Sequence, residues 1–222
     1  MPEVEVRVPG ENEDMSEFTD VMMDAWDGMP EAEAIPSHVF EASRETGNVL
    51  GAYVDGQLVG LAYQMPDMHE EDEIHSHAVG VAPEYAGEGV GEQIKWAQRQ
   101  HALENGYDTM KWTYDPLLGI NANLNIAKLG ATASEYREDV YDSDNDATSG
   151  KTPADRFVVK WDLDSNHVQR KLEGEETTYD PKTVLAADGE DIDLKNSVIE
   201  NLDGEYELDG VSEETAAVQI PR

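Results

Sequence analysis

Three glycines that alternate along the chain, Gly87, Gly89 and Gly91, have the spacing of a phosphate-binding turn. They follow an apolar stretch, Val79 to Val81, and they precede a segment whose apolar residues recur at helical spacing. Glycine lets the backbone approach a ligand closely, and the free N–H groups and positive dipole end of a following helix attract anions. The pattern therefore predicts a loop that binds an anion such as a pyrophosphate.

Two widespread phosphate-binding loops do not fit these glycines. A P-loop continues from its last glycine into Lys and then Ser or Thr, whereas this chain continues with Glu92 and Gln93. A dinucleotide-binding turn has the spacing G-x-G-x-x-G and an acidic strand end about 20 residues later. Because neither pattern is present, the sequence indicates another kind of anion loop.

Two histidines, His75 and His77, could act as proton acceptors. They lie two residues apart in a predicted strand, so their rings share one face of it. An imidazole with its ordinary pKa of about 6.5 takes a proton directly or through a water molecule. Two alternatives stay open: the rings are hydrogen-bonded strand residues, or they bind zinc with ligands drawn from His69, Glu71 and Asp72.

Strands and helices alternate around these residues. The pattern predicts a strand, two helices, three antiparallel strands, a helix, a strand, a helix and two strands, with Asp55-Gly56 at a hairpin turn. In the helix after the glycines, Lys95 and Arg99 are expected away from the apolar face, and Gly106 marks the end. The predicted segments are Val4 to Val8, Asp14 to Trp26, a helix after Pro36, Asn48 to Val54, Gln57 to Gln64, the His75 strand, the helix from Val90, Thr109 to Tyr114, the Asn121 helix, Ala131 to Tyr141, a polar loop from Asp142 to Thr152, and Arg156 to Leu163.

The glycine segment resembles motif A of the GNAT superfamily of acyl-CoA-dependent N-acyltransferases. That motif reads Arg or Gln, two residues, Gly, one residue, then Gly or Ala, and Pro-Glu-Tyr commonly precedes it. Here Pro83-Glu84-Tyr85, Gly89 and Gly91 match, and Ala86 stands at the Arg or Gln position. The resemblance implies that this segment binds the pyrophosphate of acyl-CoA.

A second block, Asn121 to Ala131, is similar to the later helix of that family, which ends in Lys-Leu-Gly. Ile126 stands where the family often has a tyrosine that acts as the general acid. The resemblance covers residues 1–163 and implies an α/β (α+β) fold: a mixed, mostly antiparallel central sheet flanked by helices. Residues 164–222 would form a small acidic C-terminal extension, packed on the core or truncated.

The resemblance also implies a set of site residues. Backbone N–H groups of a strand that splays from its neighbour would stabilise the oxyanion, and Tyr114 would protonate the departing thiolate in place of Ile126. Core packing for Tyr114, helix capping for Asn121 and a surface position for Lys128 are the alternatives. The catalytic candidates are His77, Tyr114 and His75; the cofactor-binding candidates are Val79, Val81, Ala86, Gly87, Glu88, Gly89, Val90, Gly91, Asn121, Asn125 and Lys128.

Acidic residues dominate the charge of the chain. The sequence has 49 Asp and Glu against 15 Lys and Arg, a formal net charge of -34, and the acids are spread over both the first 163 residues and the rest. Such uniform acidity is typical of proteins that work in molar salt, where the screening length falls to about 3 Å. It disfavours a nucleic-acid partner, because binding phosphates requires a basic patch.

The absence of cysteine and of long apolar runs indicates the compartment in which the protein works. The chain has no cysteine, so disulfides and thiol nucleophiles are excluded. No apolar run approaches the roughly 20 residues of a membrane span, and no signal segment is recognised at the N-terminus. We therefore expect a cytoplasmic protein without a membrane partner.

We expect the fold to be less stable at low salt, because unscreened carboxylates repel one another. Thermal melts in dilute buffer and in molar KCl measure this directly. A midpoint that does not change with salt would contradict the interpretation as a halophilic protein.

Together the residues and the resemblance favour an acyl-CoA-dependent N-acyltransferase that moves an acetyl group from acetyl-CoA to a small-molecule or peptide amine. The two substrates would meet in a ternary complex, where orientation supplies much of the rate. A noncatalytic acyl-CoA-binding or sensor module is the alternative, since Ala86 and Ile126 depart from the family pattern. A metal-dependent hydrolase that uses the histidines is a third hypothesis, although no metal site is expected. Assembly into a homodimer is a further open alternative.

Overall fold

In this computed structural model the described residues, 2–26, 29–138, 140 and 155–174, form one seven-stranded sheet flanked by helices. Its order is β1-β2-β3-β4-β5-β7-β6, and every neighbouring pair is antiparallel except β4 and β5. The strands are β1 (Glu5–Arg7), β2 (Val49–Val54), β3 (Gln57–Pro66), β4 (Glu73–Val81), β5 (Thr109–Tyr114), β6 (Thr132–Arg137) and β7 (Arg156–Asp162). The predicted fold class, a mixed and mostly antiparallel sheet with helices, is confirmed.

The helices are close to the predicted positions. A 3-10 turn over Pro83–Tyr85 links β4 to α3, and a π-helical turn over Asn123–Lys128 continues α4. The α-helices are α1 (Ser16–Ala25), α2 (Ser37–Glu45), α3 (Val90–Glu104), α4 (Gly119–Ala122) and α5 (Asn166–Leu172). Within the described part of the chain, no helix has the length and apolar character that crossing a membrane requires.

The hairpin of β2 and β3 forms where the Asp-Gly pair predicts it. Asp55 and Gly56 both have positive φ, 51° and 81°, and Val54 pairs with Gln57 on either side of them. Two successive positive φ angles define the turn whose twist matches that of antiparallel strands. Local backbone preference therefore sets the register of the two strands that lead into the site.

Apolar side chains fill both faces of the sheet. On one face, Phe18 and Met22 of α1 and Phe40 of α2 pack on Leu61 of β3. On the other, Val90 and Ile94 of α3 pack on strand residues that include Leu50, Val59 and Ala62. Because α3 lies on one face and α1 and α2 on the other, any opening between the strands can be reached from two sides.

Helix α5 lies beyond the predicted boundary at residue 163, yet Val168 is buried in the core with Trp161 and Leu163. The described residues fall within a compact unit that spans Met1–Glu175. The predicted loop from Asp142 to Thr152, the end of the strand near Tyr141 and the acidic extension from residue 175 onwards lie outside the described residues. The domain division stays a prediction.

Candidate active site

The glycine segment forms a loop that leaves backbone N–H groups free. Gly87 and Gly89 have φ of 80° and 84°, a left-handed conformation that side chains with a Cβ rarely adopt, and Gly89 is the N-cap of α3. The backbone bond from Gln93 N to Gly89 O, 3.2 Å, is the first of the helical pattern. The three amides before Gln93 are therefore not used by the helix and are available to an anion.

A pocket of about 450 Å³ opens at this loop. Its lining consists of Pro2, Gly87, Glu88, Gly89 and Lys128. Lys128, predicted as a phosphate contact, reaches this place from the far end of the π-helical turn. Free amides and one ammonium group fit a pyrophosphate, whereas the carboxylate of Glu88 opposes it.

The same lysine is held by an acidic partner. Its Nζ lies 2.7 Å from Oε2 of Glu92 in the first turn of α3, and both side chains are partly exposed. A surface ion pair of this kind contributes only about 0–1 kcal/mol, so a phosphate can compete with it for the ammonium group. The sequence could not reveal this pair because its members are far apart along the chain.

Strands β4 and β5 separate beside this loop. Their parallel pairing covers only three residue pairs and ends at His75 with Lys111. Beyond that pair the β5-facing edge of β4 has no strand partner, so N–H groups on that edge are available to a ligand. We call the gap between β4 and β5 beyond this pair the strand opening.

A β-bulge lies at the start of the strand opening. Tyr63 of β3 pairs with Ala78, but the next residue, Gln64, pairs with Ser76, which leaves His77 as the extra residue of β4. A bulge bends its strand and re-aims the groups beside it. The predicted base is thus located at the one irregular position of β4.

The rings of His75 and His77 share a face, as the alternation predicts, with centroids 6.3 Å apart. His77 is an exposed residue, and its ring meets the ring of Tyr63 edge-on with centroids 5.7 Å apart. Partial burial of the ring lowers the pKa of His77. The pKa of His75 is lowered first by burial and then by the positive charge that His77 can carry. Both imidazoles are therefore neutral near pH 7 and can accept a proton.

The zinc alternative finds no ligand set in the described part of the chain. No group of three or more His, Asp or Glu side chains able to hold a metal ion occurs there. The carboxylate of Glu73, next to the two histidines in sequence, instead pairs with Lys111 at 2.6 Å.

Several predicted site residues have positions that limit their roles. Tyr114 is only 6% exposed, and its ring packs 5.8 Å from the ring of Phe157 in the core. Burial raises its pKa. Asn125 is also buried, at 5% exposed, and the side chains of Val79 and Val81 pack in the α3-side core, which leaves their backbone for a ligand.

The alternative role of Asn121 as a helix cap is wrong. Helix α4 begins at Gly119 with Leu118 at its N-cap, so Asn121 lies inside the first turn. The helix starts earlier because the turn from Asp115 already directs the chain: Asp115 accepts a hydrogen bond from the amide of Leu117 at 2.8 Å. The Asn121 side chain is half-buried.

The prediction that Lys95 and Arg99 lie away from the packed face of α3 is also wrong. Each is only 3% exposed. Because α3 crosses the middle of the sheet, its buried stripe is wider than the apolar pattern suggests and includes Lys95, Gln98, Arg99 and Ala102. These four recur at helical spacing, which was the available signal, but the polarity of Lys95, Gln98 and Arg99 argued against burial.

Known proteins have the same fold. Residues 13–119 match the model of the Acetyltransferase (GNAT) family. A structure of yncA from Salmonella typhimurium, solved with its cofactor acetyl-CoA, superposes with a TM-score of 0.59 at 17% identity, over 74% of this chain and 96% of that one. No curated protein has a sequence that matches this chain.

Two further structures are of enzymes that acetylate ribosomal proteins. The ribosomal-protein-S18-alanine N-acetyltransferase of Escherichia coli superposes with a TM-score of 0.58 at 13% identity, over 72% of this chain and 94% of that one. The ribosomal-protein-alanine N-acetyltransferase of Brucella melitensis superposes with a TM-score of 0.58 at 17% identity, over 70% of this chain and 98% of that one. At these identities the likeness establishes the fold. The family model identifies residues 13–119 as a GNAT acetyltransferase domain, and the solved structures show that the described residues have its fold.

Proposed function

We propose that this protein transfers an acyl group, most simply acetyl, from acyl-CoA to a small-molecule or peptide amine. One observation carries the proposal: the left-handed glycine loop at the start of α3 lies at the same end of β4 as the strand opening. A phosphate bound at Gly87 and Gly89 would direct the rest of an extended cofactor along β4 towards His77. The proposed pyrophosphate contacts are the loop amides and Lys128.

The chemistry requires an attacking amine without its extra proton. His77 is accessible on the α1 and α2 side of the sheet, opposite α3, so an amine can approach from that side while the cofactor occupies the other. His77 accepts the proton of the amine, and N–H groups on the free edge of β4 stabilise charge on the thioester oxygen. The two substrates therefore meet across the sheet in a ternary complex.

Acetyl-CoA turnover with a panel of amines tests the proposal. In molar KCl, release of free CoA that depends on one class of amine supports it. A noncatalytic sensor is favoured by one observation, namely that Ala86 and Ile126 replace the usual phosphate-binding and acid residues of the family. Tight binding of acetyl-CoA with no turnover of any amine would support that second function.

Replacing His77 by Ala should lower turnover by roughly 10²-fold or more and leave the affinity for CoA nearly intact, as expected for a general base. His75→Ala on the same strand face is the matched control. Since burial lowers the pKa of His77, wild-type turnover should rise with pH along a limb whose midpoint lies below about 6.5. Equal activity of both variants and the wild type would contradict the role of His77.

Replacing Tyr114 by Phe tests the proton donor. If Tyr114 protonates the departing thiolate, turnover should fall by roughly 10²-fold at unchanged CoA affinity. If the residue only packs in the core, turnover should stay within about threefold, because the ring and its contact with Phe157 are kept. Steady-state kinetics and calorimetry on the same sample distinguish a proton donor from a packing residue.

A further inference from the structure

Lys95 of α3 places an ammonium group inside the protein. Its Nζ donates to Oε1 of Gln98 at 2.8 Å and to Oγ of Ser76 at 3.2 Å, and it lies 3.4 Å from Sδ of Met110. Ser76 belongs to β4 and Met110 to β5. A single cation therefore contacts both strands that border the strand opening.

Aromatic faces complete the surroundings of Lys95. The Nζ atom lies 3.9 Å from the ring centroid of Trp112 and 5.5 Å from that of Trp161. None of the ion pairs formed among the described residues includes Lys95. In a chain this rich in carboxylates, the ammonium group is held by neutral groups alone, and its field is not cancelled by a neighbouring anion.

The ammonium group lies at the closed end of the strand opening. The last pair of β4 and β5 is His75 with Lys111, so Ser76 and Trp112 are the first residues beyond it. From Val81, next to the anion loop, back to Ser76 the strand runs five residues, or about 17 Å. This is comparable to the length of an extended pantetheine arm, so a cofactor anchored at the glycine loop brings its thioester to the closed end.

Resting on the proposed acyl transfer, we propose that Lys95 is an electrostatic positioning residue that, through Ser76 and the bulged end of β4, stabilises the negative charge that develops on the thioester during acyl transfer. As the amine attacks, a C–N bond forms and an electron pair moves to the carbonyl oxygen. The pair returns as the C–S bond breaks and sulfur leaves with its electrons. The proton lost by the amine passes to His77 and ends on the sulfur.

The charge of Lys95 compensates for the missing general acid at position 126. Ile126 cannot donate a proton to the departing thiolate, and Tyr114, the proposed donor, is uncharged, so a fixed positive charge near the reacting bonds adds a stabilisation that neither residue supplies. A charge in a dry environment acts more strongly than the same charge in water, and it is already in place before the reaction. Burial also lowers the pKa of Lys95 to about 7, so its charge can be switched off within a convenient pH range.

Spectroscopy of the bound thioester tests the proposal without a known amine. In the wild type at pH 6, binding of acetyl-CoA labelled with carbon-13 at the carbonyl should shift its stretching band to lower frequency, because a nearby positive field polarises the bond. Lys95→Met has a similar volume and should lose at least half of that shift, while the affinity for CoA changes less than threefold. Lys160→Met, on the exposed side of β7, is the matched control and should keep the shift.

The pH dependence gives a second readout. The wild-type shift should diminish between pH 6 and pH 9 as Lys95 loses its proton, and the Lys95→Met value should stay constant. The titratable group whose charge interacts with Lys95 is His75, which lies on the other face of β4, so the series is repeated in His75→Ala. The groups packed against the ammonium, on β4, α3, β5 and β7, are Ser76, Gln98, Met110, Trp112 and Trp161. If His75→Ala keeps the pH dependence of the carbonyl shift, Lys95 is the group that titrates. If His75→Ala abolishes that pH dependence, the proposal is overturned.

Kinetics with the best amine of the panel completes the test. We expect Lys95→Met to lower kcat by roughly 10²-fold with little change in KM for acetyl-CoA, the pattern of a group that acts mainly in the transition state. An unchanged carbonyl band and unchanged kcat in Lys95→Met, with normal CoA binding, would overturn the role of Lys95 alone. Failure of wild-type protein to bind CoA would overturn the proposed acyl transfer and this inference with it.

Discussion

Replacing Gly89 by Val should weaken the binding of CoA by roughly 10²-fold or more. Gly89 has φ of 84°, where a β-branched residue is strained, and its position is the N-cap from which the free amides of α3 project. The substitution forces the loop out of this conformation and separates the amides from the phosphate oxygens. Since a hydrogen bond to a charged group contributes about 1.5–3 kcal/mol, the loss of two accounts for that factor.

Gly106→Val is the matched control for this experiment. Gly106 follows the other end of α3 with φ of 86°, and a side chain there meets nothing within 4 Å. The two variants should lose similar stability in thermal melts, but only Gly89→Val should lose heat of binding in calorimetry with CoA in molar KCl. Equal affinities in the two variants would contradict a phosphate site at this loop.

Replacing Lys95 by Met should stabilise the fold at pH 6 by on the order of 5 kcal/mol, since each unit of pKa shift corresponds to about 1.4 kcal/mol. The pKa of Lys95 is about 7 in the fold, lowered by burial, against the ordinary 10.5. The side chains of Ser76 and Gln98 keep a partner in the variant, because Ser76 Oγ donates to Gln98 Oε1 at 3.1 Å.

The sign of the pH dependence follows from the lowered pKa. Between about pH 7 and pH 10.5 the unfolded chain holds a proton on Lys95 that the folded chain releases, so this group makes wild-type stability rise with pH across that window. Urea titrations at pH 6 and pH 9 in constant molar KCl should show this rise in the wild type and in Lys160→Met, and a smaller rise in Lys95→Met. A Lys95→Met protein that is less stable than the wild type at pH 6 would contradict the cost of the buried charge.

Stability and turnover of Lys95→Met together test why a residue that destabilises the fold is present. If Lys95→Met is both more stable and slower in acyl transfer, the buried ammonium is retained for the reaction and not for the fold. If it is more stable and equally active, burial of Lys95 is a cost that the site does not need. The two measurements on one variant therefore decide what the ammonium group is for.

The sequence by itself determined the parts of this protein that depend on local backbone chemistry. The Asp55-Gly56 turn, the left-handed glycines before α3 and the end of that helix before Gly106 follow from conformations that few residues adopt. Period-two and helical spacings placed the strands and helices, and the family resemblance carried by the glycine motif and the Asn121 block implied the fold class. The shared face of His75 and His77 also follows from alternation alone.

Only the tertiary structure decided which distant residues meet. The bulge at His77 depends on pairing with β3, and the strand opening depends on β5 diverging after Lys111. The contact of Lys128 with Glu92 joins segments 36 residues apart. The prediction for Lys95 was wrong because residue spacing shows only which side chains share a face of the helix. How wide a stripe of that helix is buried depends on how the helix crosses the sheet.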